Sequence, residues 1–217
     1  MTKEELGARI EELEARVRHS EDVLAIMNLQ SRYNYYLELN YCDRVPDLFA
    51  QKDPNVKCEI CDGGVYEGLE SIKHLWKLMG EGQGGRGFLG TIMISTPHIQ
   101  VSKDGKTARG MWHAFGPNSV PATAYPGDKP DQLTAIWFLG KYDNEYVKED
   151  GKWKFRSLHV IVYIRTPYEQ GWLKQPNARM FGLPPSVIKP DKPSTVFKPY
   201  HPHGFNELLP EPPEEIE

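Results

Sequence analysis

Asp150-Gly151 lies between two long strand-like runs, about 133–147 and 152–165, and constrains the fold more than any other feature. A pair of this kind favours a tight two-residue loop, so the runs it joins are expected to be antiparallel neighbours. A second hairpin precedes it, with runs 89–102 and 106–116 joined through Lys103-Asp104-Gly105-Lys106. Strands this long twist and curl, giving a curved antiparallel sheet with one face free to be closed by helices.

The N-terminal part reads as those helices. Residues 3–18 form a charged amphipathic helix whose Leu6, Ile10, Leu13 and Val17 make a seam that needs a partner surface, its own sheet or a neighbouring subunit. Ser20 is placed to cap a second helix running to about Leu39, with Val23, Ile26, Met27, Gln30, Tyr33 and Leu37 on one face. A third short helix follows Asp43 and includes Pro46, Leu48 and Phe49. Val56 to Tyr66 reads as a hairpin turning at Asp62-Gly63-Gly64, and 69–79 as another helix. Helices followed by an antiparallel sheet make an α+β fold.

The remaining segments read as loops. Glu81 to Gly87 lacks the spacing of a phosphate cradle and is expected to be a loop or lid. Residues 117–132, with Pro117, Pro121, Pro126 and Pro130, are a long loop. Two domain-level segments result: a body over 1–166 and a Pro-rich tail over 167–217. The tail carries Tyr168, Trp172, Phe181, Phe197, Tyr200 and Phe205, so it is expected to drape over the body, a neighbouring subunit or the mouth of the site.

At 217 residues the chain suits one well-buried core. A net charge of −4 gives no long-range attraction for nucleic acid or an anionic membrane. No apolar run approaches the roughly 20 residues that span a bilayer, and no leader opens the chain, so a cytoplasmic protein is expected. Cys58-Glu59-Ile60-Cys61 spells C-x-x-C, but no second pair follows, and residues three apart on a strand face opposite sides. His201-Pro202-His203 resembles a metal pair only in spacing. Neither a metal nor a cofactor is expected.

Four short motifs occur in order: Arg32-Tyr33 with Glu38 and then Leu48-Phe49-Ala50; Gly68 with Ile72; Asp104-Gly105-Lys106-Thr107-Ala108; and Asp150-Gly151-Lys152-Trp153-Lys154-Phe155. On these the chain, over about 20–165, resembles the SnoaL-like branch of the NTF2-like superfamily, cone-shaped α+β barrels. The resemblance extends to scytalone dehydratase and bile-acid dehydratase type lyases. By length, tail and aromatic content it also extends to the diarylpropane γ-formaldehyde lyases of lignin catabolism. It implies a cofactor-independent enzyme in which a helix Tyr, an acid and a sheet His act at the floor of a cup. It also implies a homo-oligomer, a trimer by the related lyases, with dimers common across the superfamily. Tyr33 and Glu38 stand at the Tyr and acid positions. The expected sheet His falls near Ile92 or Met93, a departure from the pattern: either His98 on the same strand substitutes from a different depth, or that base is not used.

The candidate catalytic residues are therefore Tyr33, Glu38, His98 and Arg156. Glu38 and His98 share proton transfer, Tyr33 orients or protonates an oxygen, and Arg156 stabilises negative charge. Tyr36, Trp112, Tyr142 and Leu158 are the candidate substrate contacts, whereas alternation turns His113 and His159 outward. The expected function is a lyase acting on a hydrophobic aromatic molecule, removing water or a one-carbon aldehyde. The alternatives are a noncatalytic binding module, or an isomerase or cyclase of the same fold.

Overall fold

Thr2 starts the first helix by a reciprocal cap. Its Oγ1 accepts the Glu5 N–H at 3.1 Å, and Glu5 Oε2 accepts the Thr2 N–H at 2.7 Å. The helix, α1 (Lys3–Glu38), then runs unbroken for 36 residues. The separate helices expected over 3–18 and 20–39 are thus one element. Ser20 does not cap: its Oγ donates to the Arg16 carbonyl at 3.0 Å, a bond made inside a helix. α1 ends where Asn40 turns to φ 55°, with Asn40 N–H donating to Leu37 O and Tyr41 N–H to Tyr36 O.

The computed structural model describes residues 1–82, 87–121, 133–174 and 189–216. Gln83 to Arg86 of the expected lid, Pro126 and Pro130 of the expected loop, and Phe181 of the tail lie outside the described residues. After α1 come a 3₁₀ helix (Cys42–Leu48), β1 (Lys57–Ile60), β2 (Val65–Glu67) and α2 (Gly68–Gly82). Then follow β3 (Leu89–Gly90), β4 (Met93–Val101), β5 (Thr107–Pro121), β6 (Leu133–Glu149), β7 (Lys152–Pro167) and the short α3 (Gly171–Lys174). Among the described residues no helix is long and apolar enough to cross a membrane.

The strands form one sheet in the order β2-β1-β7-β6-β5-β3, with β4 also on β5. The sheet is mixed rather than wholly antiparallel, because β1 runs parallel to β7. The two lie far apart in sequence, and a parallel pair requires such a long crossover. Asp150 and Gly151 adopt φ 50° and 75°, the left-handed pair that a two-residue hairpin loop needs. β5 continues through Pro117 to Pro121, where a loop was expected. Pro117 is accommodated because β5 there passes from β4 to β3 and has no partner on that side.

The helices pack on the concave face, and the main core lies between. The Trp153 Nε1–H donates to Asp22 Oδ1 at 2.8 Å, and Lys148 Nζ reaches the same oxygen at 2.5 Å. The hairpin is thereby tied to the middle of α1. A buried polar chain makes a second tie. Gln30 Nε2 donates to Asn34 Oδ1 (3.0 Å), and Asn144 Nδ2 donates to Gln30 Oε1 (2.8 Å) and Tyr146 OH (3.1 Å).

Tail residues 189–216 cross the opposite, outer face. Asp191 accepts from Glu67 N–H and Ser71 Oγ beside β2, and the Tyr200 N–H donates to Tyr163 O on β7. Lys141 Nζ on β6 donates to Leu208 O and Pro210 O, and His98 Nε2 on β4 lies 3.1 Å from Pro213 O. Val196 and Tyr200 cover Ile161, Tyr163 and Ile164. Of the surfaces the tail could cover, these residues lie on the chain's own sheet.

Glu59 is the polar clasp of this covering. It is 5% exposed and accepts from Ser194 Oγ (2.8 Å), Thr195 N–H (2.5 Å) and Thr195 Oγ1 (2.7 Å), with His159 Nε2 at 3.5 Å. Burial acts to raise the Glu59 pKa, but the Thr195 and Ser194 bonds and His159 outweigh it and hold the carboxyl below its usual range. Burial holds His159 below its own usual value, against the opposing pull of Glu59 and Asp143. A lowered carboxyl contributes stability above its unfolded pKa of about 4.3, and a lowered histidine above about 6.5; both contributions fade as pH falls through the folded values. Acidification below pH ~6.5 is therefore expected to loosen residues 189–200 before the core opens, read as lower amide-exchange protection factors there. Glu59→Gln should remove the part of that dependence below about pH 4.3, and His159→Gln the part that begins near pH ~6.5; equal loss of protection in tail and core would contradict the clasp.

Candidate functional site

The concave face carries a cavity with about 80 Å³ of water-accessible space, room for roughly half a dozen waters or one aromatic ring. α1 contributes Tyr33 and Leu37, and α2 contributes Trp76 and Met79. The end of β1 adds Ile60 and Cys61, and the β3 region adds Phe88, Gly90 and Ile92. The long strands supply Asn118, Phe138, Tyr142, Val160 and Arg165.

Tyr33 sits at the floor, 1% exposed, with its ring edge-on to Trp76 (5.7 Å), Tyr142 (5.8 Å) and Phe155 (5.9 Å). The Tyr142 hydroxyl accepts from Asn34 Nδ2 at 3.3 Å. Burial raises both tyrosine pKa values well above the ordinary phenol range, so both hydroxyls keep their protons at neutral pH. Burial pushes the Cys58 and Cys61 thiols up as well, leaving them protonated and poorly nucleophilic. Among the described residues no cluster of metal-ligating side chains converges.

Arg165 is the cation of this cavity, 5% exposed and level with Phe138 in the β6–β7 register. Simple alternation from Val160 and Val162 would turn it outward. A register shift opposite Leu139 and Gly140 inserts one residue into β7 and turns it in. Gly140 permits the close strand approach there: a Cβ would meet Ile161 O at 2.2 Å. Tyr142, level with Val160, lies four residues along β6 from Phe138, roughly 13 Å. A bound ring can therefore be addressed by a cation and by hydroxyl donors from different rows of the sheet.

The expected site residues divide. Tyr33 and Tyr142 meet in the cavity. Trp112 and Leu158 face the same side but are core: Trp112 packs on Tyr146 at 6.0 Å, and Leu158 is fully buried. Tyr36 is half-buried and packs on Tyr41 at the end of α1. Glu38 does not reach the cavity; it is the last residue of α1 and is exposed. His98 is turned to the outer face, opposite Met111, because a bulge between Ser95 and His98 reverses the alternation that aligned it with Ile92. Arg156 falls in a second bulge, beside the Glu145–Tyr146 register shift, and its Nε donates to Asp53 Oδ2 at 2.7 Å. Glu38 and His98 thus cannot share a proton transfer in this arrangement.

Arg165 and the chain Asn34–Gln30–Asn144 were not singled out in the sequence. Each left a signal: a lone charge ending the apolar run Val160–Ile164, and two amides four apart on an otherwise apolar helix face.

Solved structures share this architecture. A provisionally named scytalone dehydratase from Novosphingobium aromaticivorans superposes with a TM-score of 0.54 at 20% identity, covering 70% of this chain and 91% of that one. A provisionally named dehydratase of the NTF2-like family from Streptomyces avermitilis gives 0.53 at 16% identity, covering 66% and 97%. At these identities the likeness concerns the fold. The comparison with curated protein sequences yields no match. The SnoaL-like domain model matches residues 18–159, spanning α1 from its middle through the first half of β7, and the chain belongs to the SnoaL-like family with an NTF2-like fold.

Proposed function

We propose that this protein is a lyase that eliminates water, or water and a one-carbon aldehyde, from a small phenolic substrate. The carrying observation is an apolar, single-ring cavity that presents Arg165 together with the adjacent Tyr33–Tyr142 pair. Arg165 holds the substrate phenol as its phenolate. The phenolate electron pair moves through the ring and expels a benzylic oxygen, which takes a proton from the tyrosine pair and leaves as water. The resulting tyrosinate, a strong base in this buried setting, then removes a side-chain proton. Removal from carbon gives an alkene, and removal from a neighbouring hydroxyl releases the aldehyde. In both cases the ring regains aromaticity and the tyrosine its proton. This scheme needs neither Glu38 nor His98. The dehydratase names of the structural neighbours agree with it in reaction class.

A second reading, a noncatalytic binding module, is favoured by one observation. The cavity's described lining contains no carboxylate and no imidazole. Incubation with a panel of para-hydroxybenzylic alcohols, followed by mass spectrometry, separates the two. The lyase predicts loss of water or formaldehyde, abolished in Tyr33→Phe/Tyr142→Phe. Thermal stabilisation by the same compounds without any change of mass would establish the binding module instead.

A further inference from the structure

The N-terminal part of α1 carries an apolar stripe that its own fold leaves uncovered. Leu6, Ile10, Leu13, Val17 and Leu24 are between 43% and 58% exposed. At 3.6 residues per turn the stripe centres roughly half a turn away from Ile26, Leu29, Gln30 and Tyr33, the residues α1 buries against its own sheet. The sheet therefore cannot serve as the partner, and the stripe faces outward where another molecule has access.

The stripe has heptad spacing. Leu6 and Leu13 take position d, while Ile10, Val17 and Leu24 take position a, with Ser20 at the intervening d. Leucine at d with mostly β-branched residues at a is the combination that favours two parallel strands over three. Flanking charges choose the same orientation. Arg9 and Arg16 occupy g positions, and Glu14 and Glu21 occupy the e positions five residues later. In a parallel pair each g residue meets the following e residue of the other helix, giving Arg9 with Glu14 and Arg16 with Glu21 on both sides. An antiparallel pair would instead set Arg9 against Arg16. Arg9 and Glu14 now make exposed pairs with Glu12 and Arg18 along their own helix, which exchange at little cost. A shallow hollow lined by Ile10, Leu13, Glu14 and Val17 already has the a-d-e-a outline that receives a d-position side chain.

We propose that two copies of this chain associate through residues 3–24 as a parallel, in-register coiled coil, formed by the part of α1 that precedes its buried residues Ile26 to Asn34. The trimer implied by family resemblance is not what these a and d residues favour.

Sedimentation equilibrium on the full chain tests this. The expected mass is about 50 kDa, twice 24.8 kDa. Leu13→Glu, an exposed position whose fold can be checked by near-UV circular dichroism, should return it to 24.8 kDa. Arg16→Glu should weaken the dimer severalfold, and Arg16→Glu/Glu21→Arg should restore it. Leu6→Cys should cross-link to itself under mild oxidation without competition from Cys42, Cys58 and Cys61, which are buried. A monomer up to hundreds of micromolar, a trimer mass, or an oligomer indifferent to Leu13→Glu overturns the proposal. A dimer that Leu13→Glu dissociates but Leu6→Cys fails to cross-link overturns the parallel arrangement.

Discussion

Arg165→Met is expected to lower kcat on a phenolic substrate by ~10²–10³, the cost of removing one preorganised charge donor from a water-poor site. Methionine roughly keeps the volume of a side chain that is 5% exposed, so the cavity should survive while its cation does not. In the proposed scheme the arginine keeps the bound phenol ionised, and a neutral phenol lacks the electron pair that expels the benzylic oxygen. The loss should therefore appear in kcat more than in KM. Arg165→Lys separates charge from shape. Lysine keeps the charge but lacks the planar fork, so partial activity is expected. Thermal melts of both variants guard against simple unfolding. Turnover within threefold of wild type in a folded Arg165→Met protein would remove the arginine from the mechanism.

Gln30→Met should destabilise the fold by roughly 3 kcal/mol, a fall in Tm of about 10 °C for a chain of this length. Gln30 is fully buried, its amide donating to Asn34 and its carbonyl accepting from Asn144. An apolar replacement leaves acceptor Asn34 Oδ1 and one Asn144 donor bond unmet in a dry core. Asn34 in turn positions the Tyr142 hydroxyl, so the same change should also reduce turnover. Denaturant unfolding checks the stability, and a cycle with Asn144→Leu checks the coupling. The double variant should lose less than the sum of the two singles, since each removes a group the other leaves stranded. Strict additivity would mean the amides do not act as a chain.

Much of the architecture was legible before any coordinates. Asp150-Gly151 and the runs it joins are β6, β7 and their turn, and residues 69–79 lie inside α2. These are local matters: turn chemistry, apolar periodicity and run length are written in neighbouring residues. The break expected at Ser20 was a local signal overridden locally, since a hydroxyl that can cap a helix can also bond back into one. The parallel pairing of β1 with β7 was not legible, because it joins segments 100 residues apart, as in Lys57 with Ser157.

The site depended on a different kind of information. Assigning His98, Arg156 and Arg165 to a face assumes that a strand alternates without interruption. Three bulges break that assumption: one turns His98 out, one carries Arg156 to Asp53, and one brings Arg165 in. A single extra residue reverses every side chain beyond it, and nothing in the local composition announces where a curved sheet must take up such a step. The sequence by itself determined the elements, the long hairpin and the aromatic floor at Tyr33. Only the tertiary structure decided which charged side chain reaches the cavity, because strand curvature and register are set by the packing of the whole sheet.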